Sequence, residues 1–153
     1  MIIPKTAKPR SKFNNGHWMF DEQMGDGMGF IYVIRDDYMG RFYLGKKLFR
    51  GHGKLNKGKE SNWKKYTSSS KLLGEMFKER PRSQFSFIGI EQYQTKGTLS
   101  YSETWSLCHV EAPTSDLWYN RLIEKVAWNV KESITDRHKD RLRRAIAMET
   151  FDG

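Results

Sequence analysis

The sequence predicts an α+β domain (mixed α/β) in which a small, mostly antiparallel three-stranded sheet is flanked by helices. Two β-rich runs at 29–34 and 41–47 are joined by a polar turn, and a third alternating run follows at 84–93. Apolar residues recur at helical spacing in the segments that follow the second and third runs. A chain of 153 residues with nine Phe, seven Tyr and five Trp carries enough apolar surface for one buried core.

The composition favours a polyanionic partner. The net charge of +9 places nucleic acid ahead of an acidic membrane or an acidic protein. No apolar run is long enough to span a bilayer and the N-terminus lacks a signal-peptide core, so we expect a soluble, cytoplasmic protein. The single Cys108 excludes a cysteine-rich zinc site, and we expect it to be buried among apolar neighbours.

The chain begins with a basic segment. Residues 1–27 have the composition of a mobile arm, which either lies along a phosphate backbone or stays solvated. We expect Trp18, Met19 and Phe20 to anchor the end of this arm on the domain. The hairpin that follows places one tyrosine on each of its two strands.

A basic loop and a helix come after the hairpin. Segment 46–62 is dense in Lys, Arg and Gly, which predicts a long loop; we favour a loop that becomes ordered on DNA over one that is flexible and without a role. The segment 60–71 then opens a helix, with Ser68–Ser70 as candidate caps that also suit phosphate. The predicted buried face of this helix carries Leu72, Leu73, Met76 and Phe77.

The third strand precedes a second helix, which contains Glu103 and is expected to begin at Thr98 or Ser100. A last helix at 135–148 is rich in arginine, for which we favour phosphate contact over solvation alone. The elements divide the chain into an N-terminal arm at 1–27, a central domain at 28–130 and a basic C-terminal helix at 131–153.

Two triplets of the hairpin suggest a family. Phe30-Ile31-Tyr32 and Tyr43-Leu44-Gly45, with ten residues between them, resemble the paired signature of the GIY-YIG nuclease superfamily. Phe30 departs from the first glycine of that signature, and Leu44 is a mild change in its second triplet. The resemblance spans residues 27–125 and includes the order of hairpin, helix, strand and glutamate-bearing helix.

Two further segments resemble bacteriophage-encoded members of that superfamily. The run at 60–71 is similar to a tryptophan-tyrosine-glycine-serine-serine pattern, with Ser68 where that pattern has glycine. Tyr119-Asn120 is similar to a tyrosine-asparagine pair in the same proteins.

The resemblance implies a metal-dependent DNA endonuclease that hydrolyses phosphodiester bonds with Mg²⁺ or Mn²⁺. It also implies a phage-encoded enzyme that acts in homing, DNA processing or genome competition in the cytoplasm of an infected bacterium. By this resemblance Tyr43 activates water, Tyr32 is hydrogen-bonded nearby, and Glu103 is the protein carboxylate on the metal. Asn120 supports the glutamate or the phosphate.

The family's catalytic arginine has two candidate replacements here, Lys65 with Tyr66 and, as second choice, Arg50 with His52. The residues expected to bind DNA are basic or hydroxyl-bearing: Lys46, Lys47, Arg50, His52, Lys54, Lys64, Ser69, Ser70, Lys71, Arg141 and Arg144. The alternative is a non-catalytic basic nucleic-acid-binding module on the same scaffold. A sheet that binds RNA by aromatic stacking is disfavoured, because its aromatic motif is absent.

Overall fold

The computed structural model describes residues 16–20, 23–51, 55, 57–121, 123 and 132–150. Its strands and helices are β1 Gly29–Asp36, β2 Arg41–Leu48, α1 Lys71–Glu79, β3 Phe85–Tyr93, α2 Lys96–His109 and α3 Asp136–Ile146. Short 3₁₀ turns lie at Trp63–Lys65, Arg82–Gln84 and Ala112–Thr114. The fold is α+β, as the sequence predicts. None of the helices in these ranges has the length and apolar character that a bilayer crossing requires.

β1 is the central strand of a three-stranded sheet with the order β2-β1-β3, and both pairings are antiparallel. The predicted hairpin is confirmed. Its turn ends at Gly40, whose φ of +67° is a conformation that glycine adopts without steric cost. The register between β1 and β3 shifts between Ile31 and Tyr32, so that Ile90 of β3 is the extra residue of a bulge.

The segment Trp18–Phe20 lies along the free edge of β3. Met19 N donates to Phe87 O (2.9 Å), and Gly89 N donates to Met19 O (2.8 Å). All three side chains of the segment are buried. Their predicted anchoring is therefore confirmed, whereas residues 1–15 of the predicted arm lie outside the described ranges.

Two apolar clusters cover opposite faces of the sheet, because alternate side chains of a strand point to opposite sides. Ile31 and Val33 of β1 pack against α2 and α3 in one cluster. Phe30, Tyr32 and Ile34 belong to the other, which is completed by Trp18, Trp63, Leu73, Phe85 and Phe87. Tyr32 is thus placed on the face that α1 and the N-terminal segment cover.

α1 begins later than predicted. Lys71 is its first residue and Ser70 its N-cap, with Ser70 Oγ accepting from Leu73 N at 3.3 Å. The serine cap is confirmed, but residues 60–69 precede the helix. Leu72 was assigned to the buried face and is instead 52% exposed, because the helix presents its neighbour Leu73 to the core.

α2 also differs from the prediction in two details. Its N-cap is Thr95, whose Oγ1 accepts from Thr98 N (3.3 Å), so Thr98 and Ser100 lie within the helix. Cys108 is exposed rather than buried, since the neighbouring Leu107 takes the inward position. The predicted loop at 46–62 is partly folded: β2 continues to Leu48, and isolated bridges join Arg50 to Glu60 and Gly51 to Lys57.

α3 packs its polar residues inward. Its N-cap is Thr135, as the predicted start of the helix indicated. His138 is fully buried, with Nδ1 3.0 Å from the Tyr93 hydroxyl and Nε2 2.7 Å from Ser106 Oγ. Arg141 is only 2% exposed, and its Nε donates to Gly89 O at 2.9 Å. The prediction that Arg141 binds DNA is wrong, because its guanidinium ties α3 to β3 inside the protein.

Candidate active site

The two signature tyrosines lie on one face of the hairpin. In the β1–β2 register Tyr32 faces Gly45 and Ile34 faces Tyr43, which makes the tyrosines diagonal neighbours. Their ring centroids are 6.4 Å apart. Tyr32 is buried and Tyr43 is half-buried, so Tyr43 is the more accessible of the two phenols.

Gly45 makes room for Tyr32. A Cβ atom at this position would lie only 2.5 Å from Tyr32 Cζ, far inside van der Waals contact. Any larger residue would therefore have to displace the Tyr32 ring. The glycine of the second triplet is required by the close approach of the tyrosine of the first.

Tyr66 is the third phenol of the group. Its ring packs edge-on against Tyr32 with centroids 6.0 Å apart, and the two side chains are hydrogen-bonded. Lys47 Nζ lies 4.2 Å from the centre of the Tyr66 ring, which is a cation–π contact. The Lys47 side chain is partly buried. The same burial lowers the pKa of Lys47.

Glu103 lies on α2 beside Lys46 of β2. Its Oε1 is 3.9 Å from Lys46 Nζ, which also donates to Ser100 Oγ at 2.9 Å, one turn earlier on the same helix. The Glu103 side chain is 16% exposed. Lys46 therefore connects β2 to the carboxylate, and Glu103 lies close enough to Tyr32 to act on its ionisation.

Burial raises the pKa of Tyr32 well above the usual value of a tyrosine. Tyr43, Tyr66 and Glu103 raise the Tyr32 pKa further, because each would place a second negative charge beside a Tyr32 phenolate. Tyr32 consequently stays neutral and acts as a hydrogen-bond donor. The three tyrosines pack together, and the charge of Glu103 influences the pKa of Tyr32; we call these four residues the tyrosine–glutamate cluster.

The hairpin that carries Tyr32 and Tyr43 lies within a stretch of the chain that matches a known family. The family described as the GIY-YIG domain of endonuclease segE matches residues 13–123, more than two thirds of the chain. The chain belongs to the GIY-YIG nuclease superfamily. No curated protein and no solved structure matches it.

In this GIY-YIG domain Asn120 holds the strand that carries Tyr43. Its side-chain amide accepts from Leu44 N (2.9 Å) and donates to Leu44 O (2.8 Å), as a neighbouring strand would. Phe42 and Trp118 form a parallel bridge beside it. Asn120 was expected to support the glutamate or the phosphate; the structure shows it as a positioning residue for β2.

The residues of the two candidate pairs for the cationic position lie in different places in this domain. Tyr66 is in the cluster, whereas Lys65 is exposed on the 3₁₀ turn before it. Arg50 is exposed and donates to Gly58 O (3.1 Å), and His52 lies outside the described residues. Lys46 and Lys47, which the sequence suggested only for DNA binding, are the cations that contact the cluster.

The other residues predicted to bind DNA occupy varied places. Lys64, Ser69 and Lys71 are exposed, and Lys54 lies outside the described residues. Ser70 is half-buried as the cap of α1. Arg144 donates to Glu149 Oε2 at 3.0 Å, so its charge is already paired within the chain. For the exposed members of this set, DNA contact stays a prediction.

One contributor to the GIY-YIG site escaped the sequence patterns. The ring of His17 lies 2.7 Å from the backbone oxygen of Tyr66, and the residue is 8% exposed. A lone histidine in a basic segment gives no signal of such a contact. The family match, which begins at residue 13, includes this segment in the domain.

Proposed function

We propose that this GIY-YIG domain is a metal-dependent endonuclease that hydrolyses DNA phosphodiester bonds. The observation that carries the proposal is the tyrosine–glutamate cluster with Lys46 and Lys47 in contact with it. A protein that only binds phosphate has no need to bury phenols beside a carboxylate, since negative charge there opposes phosphate binding. Hydrolysis needs both a proton acceptor and a cation site, and the cluster offers candidates for each.

Tyr43 is the proposed general base. It is more accessible than Tyr32, whose raised pKa keeps it protonated. In the step proposed, the water oxygen forms a bond to phosphorus and a water proton passes to the Tyr43 phenolate. The bond from phosphorus to the 3′ oxygen breaks, and the leaving oxygen takes a proton from solvent.

Tyr32 and the two lysines have supporting roles in this proposal. Tyr32, held neutral, can donate a hydrogen bond that orients the attacking water or the Tyr43 oxygen. Lys46 and Lys47 can stabilise the charge that grows on the non-bridging phosphate oxygens. All three belong to strands of the same hairpin, so their relative positions are fixed by β pairing before DNA binds.

Glu103 is the proposed ligand of Mg²⁺ or Mn²⁺. The carboxylate is partly exposed, and within the described residues no group of three His, Cys, Asp or Glu side chains could form a protein cage for a metal. A single hard oxygen donor fits Mg²⁺, which keeps several waters and takes further ligands from substrate phosphates. When bound, the ion would supply Lewis-acid stabilisation of the phosphate oxygens.

The biological setting is part of the proposal. The likeness of segments 60–71 and 119–120 to bacteriophage-encoded members supports a phage-encoded enzyme. Such an enzyme would act on DNA in the cytoplasm of an infected bacterium, in homing, DNA processing or competition between genomes.

A plasmid assay tests the activity. Supercoiled DNA is incubated with the protein in Mg²⁺, in Mn²⁺ and in EDTA, and nicked and linear products are measured on gels. We expect products only with a metal, and a loss of about 10²–10⁴-fold in rate for Glu103→Gln. Glu75→Gln, which changes an exposed glutamate of α1, is the matched control and should cleave at the unmodified rate.

The outcomes separate the alternatives. Cleavage that persists in EDTA would contradict the metal assignment, and full activity in Glu103→Gln would remove Glu103 from the reaction. DNA binding without cleavage under any metal would favour the non-catalytic binding module.

A further inference from the structure

We propose that His17 is a positioning residue that fixes Tyr66 in the tyrosine–glutamate cluster. The inference rests on the proposed function, because Tyr66 affects a reaction only if the cluster catalyses one. It extends the site to a residue that precedes the hairpin and lies 49 positions from Tyr66 in the chain.

Tyr66 needs an external support, because the backbone around it has little regular structure. It follows the single 3₁₀ turn Trp63–Lys65, and α1 starts only at Lys71. Between them Ser68 adopts a φ of +79°, a left-handed conformation that disfavours residues other than glycine. Local hydrogen bonds alone therefore do not determine where the Tyr66 ring points.

The N-terminal segment supplies that support through two ring nitrogens. Trp18 Nε1 donates to Trp63 O, and His17 Nε2 lies beside Tyr66 O, each at 2.7 Å. These contacts hold the first and the last residue of the segment 63–66. The Tyr66 ring is then directed towards Tyr32 and Lys47.

The partners of His17 define its tautomer. Arg82 Nη1 is 2.6 Å from Nδ1, and a guanidinium is only a donor, so Nδ1 must accept. The carbonyl oxygen of Tyr66 is only an acceptor, so Nε2 must carry the hydrogen. Both contacts require the same neutral imidazole with its proton on Nε2, and neither tolerates the other tautomer.

His17 is itself fixed in place. Its ring packs on Phe87 with centroids 4.3 Å apart and meets Trp18 edge-on at 5.0 Å. Arg82 covers the Phe87 ring and also donates to His17 O (3.3 Å). The order of support therefore runs from β3 through Arg82 and His17 to Tyr66.

Two substitutions test this role. Glutamine keeps an amide donor and an oxygen acceptor and can reproduce both hydrogen bonds, whereas leucine of similar size keeps neither. We expect His17→Leu to lower kcat about 10- to 100-fold with little change in KM, because Tyr66 loses its orientation. His17→Gln should recover most of that loss. His109→Leu, at an exposed histidine of α2, is the control and should leave kcat unchanged.

A second measurement does not depend on cleavage. With 3-fluorotyrosine placed at position 66, ¹⁹F NMR should show one narrow resonance in the unmodified protein and in His17→Gln. The resonance should shift or broaden in His17→Leu, with the fold checked by far-UV circular dichroism and Tm. ¹⁵N shifts of the His17 ring should report a neutral imidazole protonated on Nε2.

These measurements distinguish a failure of the proposed function from a failure of the proposed role of His17. If the unmodified protein does not cleave DNA but the ¹⁹F signal responds to His17→Leu, the proposed function fails and the positioning contact stands. If the ¹⁹F signal is unaffected, if Nδ1 carries the proton, or if His17→Gln is as impaired as His17→Leu, the role of His17 is overturned.

Discussion

The arginines of α3 and the lysines at the end of β2 form similarly basic stretches of sequence, yet the fold uses them differently. In α3, Arg141 is buried against Gly89 O, and Arg143 and Arg144 bind Asp140 and Glu149 at 3.0 Å each. In β2, Lys46 approaches Glu103 and Lys47 covers the ring of Tyr66. The α3 arginines have partners within the chain, whereas the β2 lysines contact residues of the candidate active site.

The difference shows that charge density alone does not locate a phosphate-binding surface. A basic side chain is available to DNA only if carbonyls and carboxylates of its own chain have not already satisfied it. The α3 arginines have such partners on β3, on α3 itself and in the residues just after it. We therefore expect substitutions of the β2 lysines to change activity and substitution of the buried Arg141 of α3 to change stability.

The largest effect should come from Tyr43→Phe. Removing the phenol oxygen of the proposed base should reduce the cleavage rate by about 10²–10⁴-fold, because no other group takes the proton as well. DNA affinity, measured in EDTA, should stay within twofold. Tyr38→Phe, at an exposed tyrosine in the turn of the same hairpin, is the control. Equal losses in both variants would mean that the hairpin fold, not the Tyr43 oxygen, is being disturbed.

On the α3 side, Arg141→Met should lower the free energy of unfolding by about 2–4 kcal/mol, because it removes the guanidinium donor from the buried carbonyl oxygen of Gly89. Urea denaturation followed by circular dichroism measures this change. The exposed Arg143→Met should leave the denaturation midpoint almost unchanged. A stable Arg141→Met protein with reduced DNA affinity would instead restore the prediction that Arg141 contacts DNA.

The sequence could predict those parts of the fold that are determined by interactions between residues close together in the chain. Alternation and the polar turn define the hairpin, and its register places Tyr32 and Tyr43 together. The expected glycine at position 68 also has a physical basis, since Ser68 has a positive φ. Glu103 could be placed on a helix, although the two candidate caps were Thr98 and Ser100 and the structure uses Thr95.

What could not be predicted depends on contacts between distant segments. Which face of α2 points inward, and hence the exposure of Cys108, is set by the sheet and α3. Arg141 is internal because Gly89 and Met19 approach it, 52 and 122 positions away. The contact of His17 with Tyr66 is of the same kind, and no residue pattern records it.

The buried histidine of α3 gives the stability of the fold a pH dependence in the acidic range. Burial lowers the pKa of His138 to about 4, whereas in the unfolded chain it is about 6.5. Between these pH values the unfolded state binds the extra proton, so stability falls as pH falls. The loss should total about 3 kcal/mol from pH 6.5 to pH 4. Urea midpoints across this range should fall less steeply in His138→Gln, and parallel curves would contradict the assignment.

The smallest expected effect is on the salt dependence of DNA binding. Its measurement tests the difference between the β2 lysines and the α3 arginines. Each lost phosphate contact should reduce the slope of log K against log salt by about 0.9, and affinity by less than tenfold. We expect such a change in Lys47→Gln and Lys65→Gln, measured in EDTA by fluorescence anisotropy. Arg143→Gln and Arg144→Gln should leave the slope unaltered, because their acidic partners already neutralise them. If the α3 variants flattened the slope as much as the lysine variants, DNA would have to displace Asp140 and Glu149. The two basic regions would then form one continuous binding surface.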